Sequence, residues 1–272
     1  MRRIEEMVVV ITGASAGIGR ALAVALHGRG AKLALAARRL DRLEGLNREL
    51  GGGHLAVACD VAKEEDCRRL IEQATAHFGR IDTLVCNAGY GMARPVTETS
   101  HEEVRAMYET NLFGTLDCIR AAVPLMEKQQ RRDGWRGQVM IVSSGAARRG
   151  LPWFGVYSST KAAQLSIAEA LRVELRPRGI AVTSVHPVGT ETEFFDVAAE
   201  KAHATIPNRS GAKRMSAEKV ARSMVKAIAR PRPELWPFGP VRWALALNAL
   251  FPRLGDRVMS DHRREMEEGN RQ

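Results

Sequence analysis

The sequence predicts an α/β fold, a doubly wound parallel sheet with helices on both faces, in a single domain followed by a C-terminal helical extension. Three observations carry that expectation. Short runs of continuous apolar residues recur along the chain. Longer segments with a helical period separate them, and a glycine-broken turn follows the first apolar run. Strands that are apolar without polar alternation need cover on both faces, which parallel sheets with crossover helices provide.

In chain order the strand-length runs are Met7 to Ile11, Lys32 to Ala37, His54 to Cys59, Asp82 to Cys86, Gln138 to Val142 and Ile180 to Val185. Segments with apolar residues at helical spacing lie between them. After the first run, "GRALAVALHGRG" ends in glycine, as helices commonly do. After the third comes "EEDCRRLIEQATAHFG", and before the sixth "STKAAQLSIAEALRVELRPRG", which stops at Pro177 and Gly179. The polar stretch Gln129 to Gly137, "QQRRDGWRG", reads as a surface loop. From Arg230 the rhythm breaks, and "RPRPELWPFGPVRWALALNALFPRLG" packs five prolines among much apolar surface. The expected organisation is therefore one domain over residues 1–229 and an extension over 230–272.

A chain of 272 residues is long for one average domain, but α/β folds reach this size around a single core. Hydrophobic residues make up 45% of it, enough to cover a sizeable sheet. The formal charge of +10 is compatible with nucleic acid, an anionic membrane surface, or a phosphorylated or acidic small ligand. Basic pairs at Arg38-Arg39, Arg68-Arg69, Arg131-Arg132, Arg148-Arg149 and Arg263-Arg264 are spread along the chain with no dense basic run among aromatics. Solvated surface is the expected reading, and nucleic acid is not an expected partner. Cys59, Cys67, Cys86 and Cys118 show no CxxC spacing, so neither a metal site nor a disulfide is expected. In "MRRIEEMVVVITG" the apolar run is too short for a signal peptide, so a cytoplasmic setting is expected. The sequon Asn208-Arg209-Ser210 then reads as a chance match.

The turn after the first strand places Gly13, Gly17 and Gly19 in the pattern Thr-Gly-x-x-x-Gly-x-Gly. Such a turn either reverses the chain or holds a phosphate. Glycines let backbone approach a pyrophosphate closely, and the free N–H groups and positive end of the following helix face its charge. The position between a strand and a helix favours a Rossmann-like dinucleotide site. Sites for NAD usually carry an acid at the end of the second strand; here Ala37 is followed by Arg38. A guanidinium there would pair with a 2′-phosphate, which favours NADP(H), with Ser15 and Arg39 as helpers.

"YSSTK" sets Tyr157 and Lys161 four residues apart, on one face of a helix near its start. For a phenol to exchange protons near neutral pH, its pKa of about 10 must fall by about three units, or about 4 kcal/mol. An ammonium about 4 Å away at an effective dielectric of about 20 supplies about that much. Taken alone, such a pair is usually an ordinary helix surface pair.

Together these residues amount to a resemblance to the classical short-chain dehydrogenase/reductase family over about Met7 to Lys226. The motifs stand in order: "TGASAGIG" from Thr12 to Gly19, "CDV" from Cys59 to Val61, "NAG" from Asn87 to Gly89, Asn111 in "NLFGT", Ser143-Ser144, and "YSSTK". By that resemblance Tyr157 is the general acid or base, and Lys161 binds the nicotinamide ribose and depresses the phenol. Ser144, thirteen residues before Tyr157, holds the substrate oxygen, whereas Ser143 misses by one. Asn111 holds a water through its main chain and so links Lys161 to solvent. Ser15 and Ile18 in the glycine turn, Asp60 and Val61 near the adenine, and Asn87, Ala88 and Gly89 line the cofactor. After the sixth strand the family commonly has Pro-Gly, then a threonine on the carboxamide. Here "HPVGTETEF" gives Pro187-Val188, with Gly189 one place later, and Thr190 and Thr192 as the nicotinamide contacts.

The implied reaction is hydride transfer between NADPH and a carbonyl or alcohol, with the non-catalytic NADP-binding sensor or scaffold as the rival reading. The intact Ser, Tyr, Lys and Asn set argues against the rival. Phe194, Phe195 and Ile206 read as an apolar lid, pointing to a hydrophobic ketone, aldehyde, steroid-like or acyl substrate, although such aromatics also serve simple packing. The chain lacks the short closing strand and glycine-rich tail of the family's common tetramer. Instead Leu235 to Phe251 is mostly apolar, too short and broken to span a bilayer. Three uses are open to it: covering the substrate pocket, the foremost; packing in a homodimer or other homo-oligomer; or lying peripherally in a membrane surface.

Overall fold

In the computed structural model, which describes residues 1–202, 206 and 215–269, the expected sheet forms around two apolar layers. Its strands are β1 (Val8–Thr12), β2 (Lys32–Ala37), β3 (Leu55–Ala58), β4 (Thr83–Cys86), β5 (Gly137–Val142) and β6 (Ile180–Val185). The crossovers between them contain α1 (Gly17–His27), α2 (Leu40–Glu49), α3 (Glu64–Phe78), α4 (His101–Tyr108), α5 (Gly114–Lys128) and α6 (Gly155–Leu175). Beyond β6 come β7 (Thr190–Glu191), α7 (Phe194–Ala202), β8 (Met215–Ser216) and α8 (Ala217–Ala229). The chain ends with β9 (Glu234–Leu235), α9 (Gly239–Leu250) and α10 (Pro252–Gly269).

Period-two alternation within each buried strand feeds both layers. Val9 and Ile11 of β1, with Leu33 and Leu35 of β2, pack with Leu22 and Leu26 of α1 and with Val220 and Met224 of α8. Val10, Ala34 and Ala36 face the other way, toward Leu70 and Ile71 of α3 and Ile119 of α5. Each large aliphatic side chain so buried contributes about 1.5–3 kcal/mol. The pairing is parallel throughout, for example from Val8 opposite Lys32 to Thr12 opposite Ala36.

The strand order is β3-β2-β1-β4-β5-β6-β9. The order reverses between β1 and β4, and in open parallel sheets the ligand crevice lies outside the carboxyl ends of the strands at that reversal. The ends of β1, β3, β4, β5 and β6 deliver the glycine turn, Asp60, Asn87–Gly89, Ser143-Ser144 and Pro187 respectively. Two departures from the sequence reading bear on the site. A short closing strand does exist: Leu235 of β9 pairs with Val185 of β6, so the sheet extends past residue 230. Two residues inside a proline-rich run are too few to show a strand pattern. Between α4 and α5, Glu109–Phe113 form one widened π turn in which the Gly114 N–H bonds the Glu109 carbonyl, and this turn carries Asn111. The sequon and most of the segment beyond Ala202 lie outside the described residues.

Candidate active site

A cavity of about 760 Å³ opens along the carboxyl ends of the strands. Its lining includes Gly13, Ser15, Gly17, Ile18, Arg38, Arg39, Asp60, Val61, Asn87, Ala88 and Gly89 at one end, and Ser144, Tyr157, Lys161, Pro187, Thr190 and Thr192 further along. Two of the predicted residues, Gly19 and Asn111, stand behind the wall.

The glycine turn is built for close approach. Gly13 and Gly17 have φ of +67° and +52°, a region that disfavours side chains. A Cβ on Gly13 would lie 2.9 Å from the Ala88 Cα, and one on Gly19 would overlap the Gly13 carbonyl. Asn87 locks this turn to the end of β4: its Nδ2 donates to the Thr12 and Gly13 carbonyls at 3.0 and 3.2 Å. Thr12 Oγ1 accepts from the Asn87 and Ala88 N–H groups, both at 3.0 Å. With N–H groups opening α1 toward the cavity and glycine surfaces that any side chain would fill, these residues fit a dinucleotide pyrophosphate.

At the end of β2, Arg38 is exposed on the cavity wall and forms no ion pair among the described residues. Arg39 donates to Ser15 Oγ at 3.3 Å and pairs with Glu193 at 3.2 Å, and Arg42 meets the same carboxylate at 2.8 Å. Glu193 stands in the segment after β6, so this exposed cluster fastens that segment across the crevice. Next to it, Thr192 packs its methyl group on Gly17. Thr190 donates to the Val188 carbonyl at 3.0 Å. Asp60 Oδ1 accepts from the Ala62 N–H at 3.2 Å.

Ser143 and Ser144 part company at the end of β5. Ser143 is buried and donates to the Lys161 carbonyl at 2.8 Å, holding α6 to the sheet. Ser144 stands beside the Tyr157 phenol, and its Oγ caps a short turn by accepting from the Ala146 N–H at 3.1 Å. His186, which the sequence reading passed over although it precedes Pro187, is fully buried. Its Nδ1 lies 3.2 Å from the Ser144 carbonyl and its ring stacks on Trp236 at 4.4 Å.

The electrostatics differ from the expectation that Lys161 makes the phenol acidic. Burial pushes Tyr157 up to about 12, only partly offset by the neighbouring Ser144 hydroxyl. Burial also pulls Lys161 down to about 7. The ammonium stands 5.7 Å from the phenol ring centre, and its donors go to the Val142 carbonyl at 3.0 Å and Gln164 Oε1 at 2.9 Å. Desolvation dominates at both groups, because each is buried with no counter-charge beside it among the described residues.

Asn111 sits where its side chain closes on the loop after β4: Oδ1 accepts from the Tyr90 N–H at 3.0 Å, and Nδ2 donates to the Tyr90 carbonyl at 2.9 Å and to Thr160 at 3.0 Å. Its own carbonyl accepts from Thr115 Oγ1 at 2.9 Å and from Gln164 Nε2 at 2.5 Å. Two side chains thus meet at the main-chain oxygen of the residue expected to hold a water through its main chain.

The other end of the cavity is mostly apolar. Phe194 lies 5.1 Å from the Tyr157 ring and stacks on Phe154, and Phe195 and Ile206 line the same space. Residues not anticipated individually complete it: Leu151 and Phe154 before α6, Val241 and Leu245 of α9, and His262, Glu265 and Met266 of α10. They left no local signal, because their place depends on how the last two helices dock. No helix among the described residues is long and apolar enough to cross a membrane.

The sequence profile of the family described as short chain dehydrogenase matches residues 7–203. Glycine betaine reductase ATRR of Emericella nidulans is 36% identical over 228 residues, 82% of this chain and 18% of that protein. The 11-beta-hydroxysteroid dehydrogenase 1A of Arabidopsis thaliana is 39% identical over 197 residues, 69% of this chain and 53% of that one. The chain thus spans about half or less of the length of these two relatives. Among solved structures, the 3-ketoacyl-(acyl-carrier-protein) reductase of Brucella melitensis complexed with NADH shares 28% identity and a TM-score of 0.74 over 86% of this chain and 97% of its own. The alcohol dehydrogenase of the archaeon Thermococcus sibiricus complexed with 5-hydroxy-NADP shares 30% identity and a TM-score of 0.73, over 85% and 96%.

Proposed function

The chain belongs to the short-chain dehydrogenase family of oxidoreductases, and from that premise we propose that it reduces a hydrophobic carbonyl compound with NADPH, or oxidises the matching alcohol. One observation carries the reading: Ser144 and Tyr157 stand side by side in the same cavity as the glycine cradle, with Phe194 against the Tyr157 ring. Gly13, Ser15, Gly17 and Ile18 would hold the pyrophosphate, Asp60 and Val61 the adenosine, and Asn87, Ala88, Gly89, Pro187, Thr190 and Thr192 the rest of the nucleotide. When bound, the nicotinamide supplies or accepts the hydride at the carbonyl carbon. Tyr157 gives its proton to the carbonyl oxygen, and Ser144 hydrogen-bonds that oxygen as charge gathers on it. A phenol raised by burial is fully protonated at neutral pH and so is ready as the acid for reduction. Lys161 orients the ribose and places positive charge behind the phenolate as it forms.

Arg38 supports NADP(H) over NAD(H), since its guanidinium stands at the strand end with no carboxylate partner among the described residues to exclude a 2′-phosphate. Phe154, Phe194 and Met266 support an apolar substrate, consistent with a relative named for hydroxysteroids. Val241, Leu245 and Met266 support the use of the last two helices as the cover of that pocket.

The test is Tyr157→Phe, assayed by NADPH oxidation with a panel of ketones and aldehydes and by NADPH titration. Turnover is expected to vanish while NADPH affinity persists. Near-normal turnover in the variant removes Tyr157 from the mechanism. NADPH binding without any carbonyl-dependent oxidation in the wild type favours the sensor or scaffold instead.

A further inference from the structure

Gln164 lies one turn beyond Lys161 on α6 and is 1% exposed, with Lys161 at 4% and Asn111 fully buried around it. Its amide makes three bonds. Oε1 accepts from Lys161 Nζ at 2.9 Å, and Nε2 donates to the Asn111 carbonyl at 2.5 Å and to Thr115 Oγ1 at 3.0 Å. The orientation of the amide is forced, because an ammonium only donates and a carbonyl only accepts. A carbonyl oxygen has two lone pairs, and Gln164 and Thr115 take both at Asn111.

We propose that Gln164 is the positioning residue for Lys161: its amide joins the ammonium directly to the Asn111 carbonyl, at the place where the family resemblance puts a water. This rests on the reading of Tyr157 and Lys161 given above and adds a residue to it. The amide fixes Lys161 Nζ by a second acceptor besides the Val142 carbonyl, leaving one ammonium donor for a ligand. It also sets how long Lys161 stays charged. Around the ammonium stand Tyr157 from its own helix, Val142 from β5, Gly89 from the loop after β4, and, through Gln164, Asn111 and Thr115. Tyr157 is the one titratable group among them, and burial alone lowers Lys161. With no carboxylate to help, a neutral acceptor that is fully buried has a large effect on the charged form.

The readout is the Lys161 titration, followed by NMR of the full chain without cofactor, with lysine labelled at 13Cε and the Lys161 signal identified by its loss in Lys161→Arg. Gln164→Glu places a carboxylate against the ammonium and is expected to raise the Lys161 midpoint by about one unit or more. Gln164→Leu removes an acceptor at nearly equal volume and is expected to lower it. The alkaline limb of carbonyl reduction should move with it, upward in Gln164→Glu and downward in Gln164→Leu. A residue that merely filled space would leave the midpoint unmoved in Gln164→Leu, whereas any carboxylate at this distance raises it. Should Gln164→Leu fail to fold, Gln164→Met, of similar volume and without a carbonyl acceptor, carries the test. A Lys161 titration that stays at its wild-type position in folded Gln164→Leu or Gln164→Met overturns the proposal. Turnover retained by Tyr157→Phe would overturn the catalytic reading instead, and leaves the Lys161 titration to decide the role of Gln164.

Discussion

Two neighbouring residues at the end of β2 differ in what they already hold. Arg38 faces the cavity without a carboxylate partner among the described residues, whereas Arg39 is already shared between Ser15 and Glu193. Charge-assisted hydrogen bonds contribute about 1.5–3 kcal/mol, so Arg38→Ala is expected to weaken NADPH about ten- to a hundredfold. Affinity for NADH should stay nearly unchanged. Parallel titrations with the two nucleotides check this, and equal losses for both would remove Arg38 from phosphate recognition. At this scale the sequence was informative wherever a role depends on spacing. Thirteen residues separate Ser144 from Tyr157, and the structure turns Ser144, not Ser143, toward the phenol. It was silent on Gln164, which looks like any polar helix residue until the widened turn at Asn111 is placed opposite it.

The first β-turn-α unit shows how little freedom an element can have. Gly19 is the glycine behind the cavity wall, where α1 crosses closest to β1 and the Asn87 amide. Gly19→Ala would force the new methyl into the Gly13 carbonyl and displace Asn87. Overpacking of this kind costs about 1–3 kcal/mol. The expected result is a lower urea midpoint and a loss of NADPH binding exceeding that of any exposed alanine substitution on α1, read by unfolding and by fluorescence titration. Strands and helices of this unit were legible because their apolar spacing is local. β9 was not, since Leu235 owes its strand conformation to the edge of β6 and to nothing within its own proline-rich run.

For the whole molecule, the last two helices have two faces. Val241, Leu245 and Met266 turn inward to the cavity, while Trp243 and Leu250 are 73% and 74% exposed, with Leu247, Phe251, Leu254 and Val258 also outside. Clustered exposed apolar residues mark interaction surfaces, and a second copy of the chain is the occupant expected here. Trp243→Glu with Leu250→Glu should shift sedimentation toward a smaller species without changing carbonyl reduction. If that pair instead abolishes co-sedimentation with anionic liposomes at unchanged oligomeric state, the surface faces lipid. Which face turned inward was beyond the sequence, because an apolar helix is compatible with either side until its docking partner is known.

The segment after β6 lies over both halves of the crevice, with Thr192 on Gly17 and Phe194 on Tyr157. Under the proposed reaction, traffic through the crevice is therefore expected to form a queue, nucleotide first in and last out, and product-inhibition kinetics check that order.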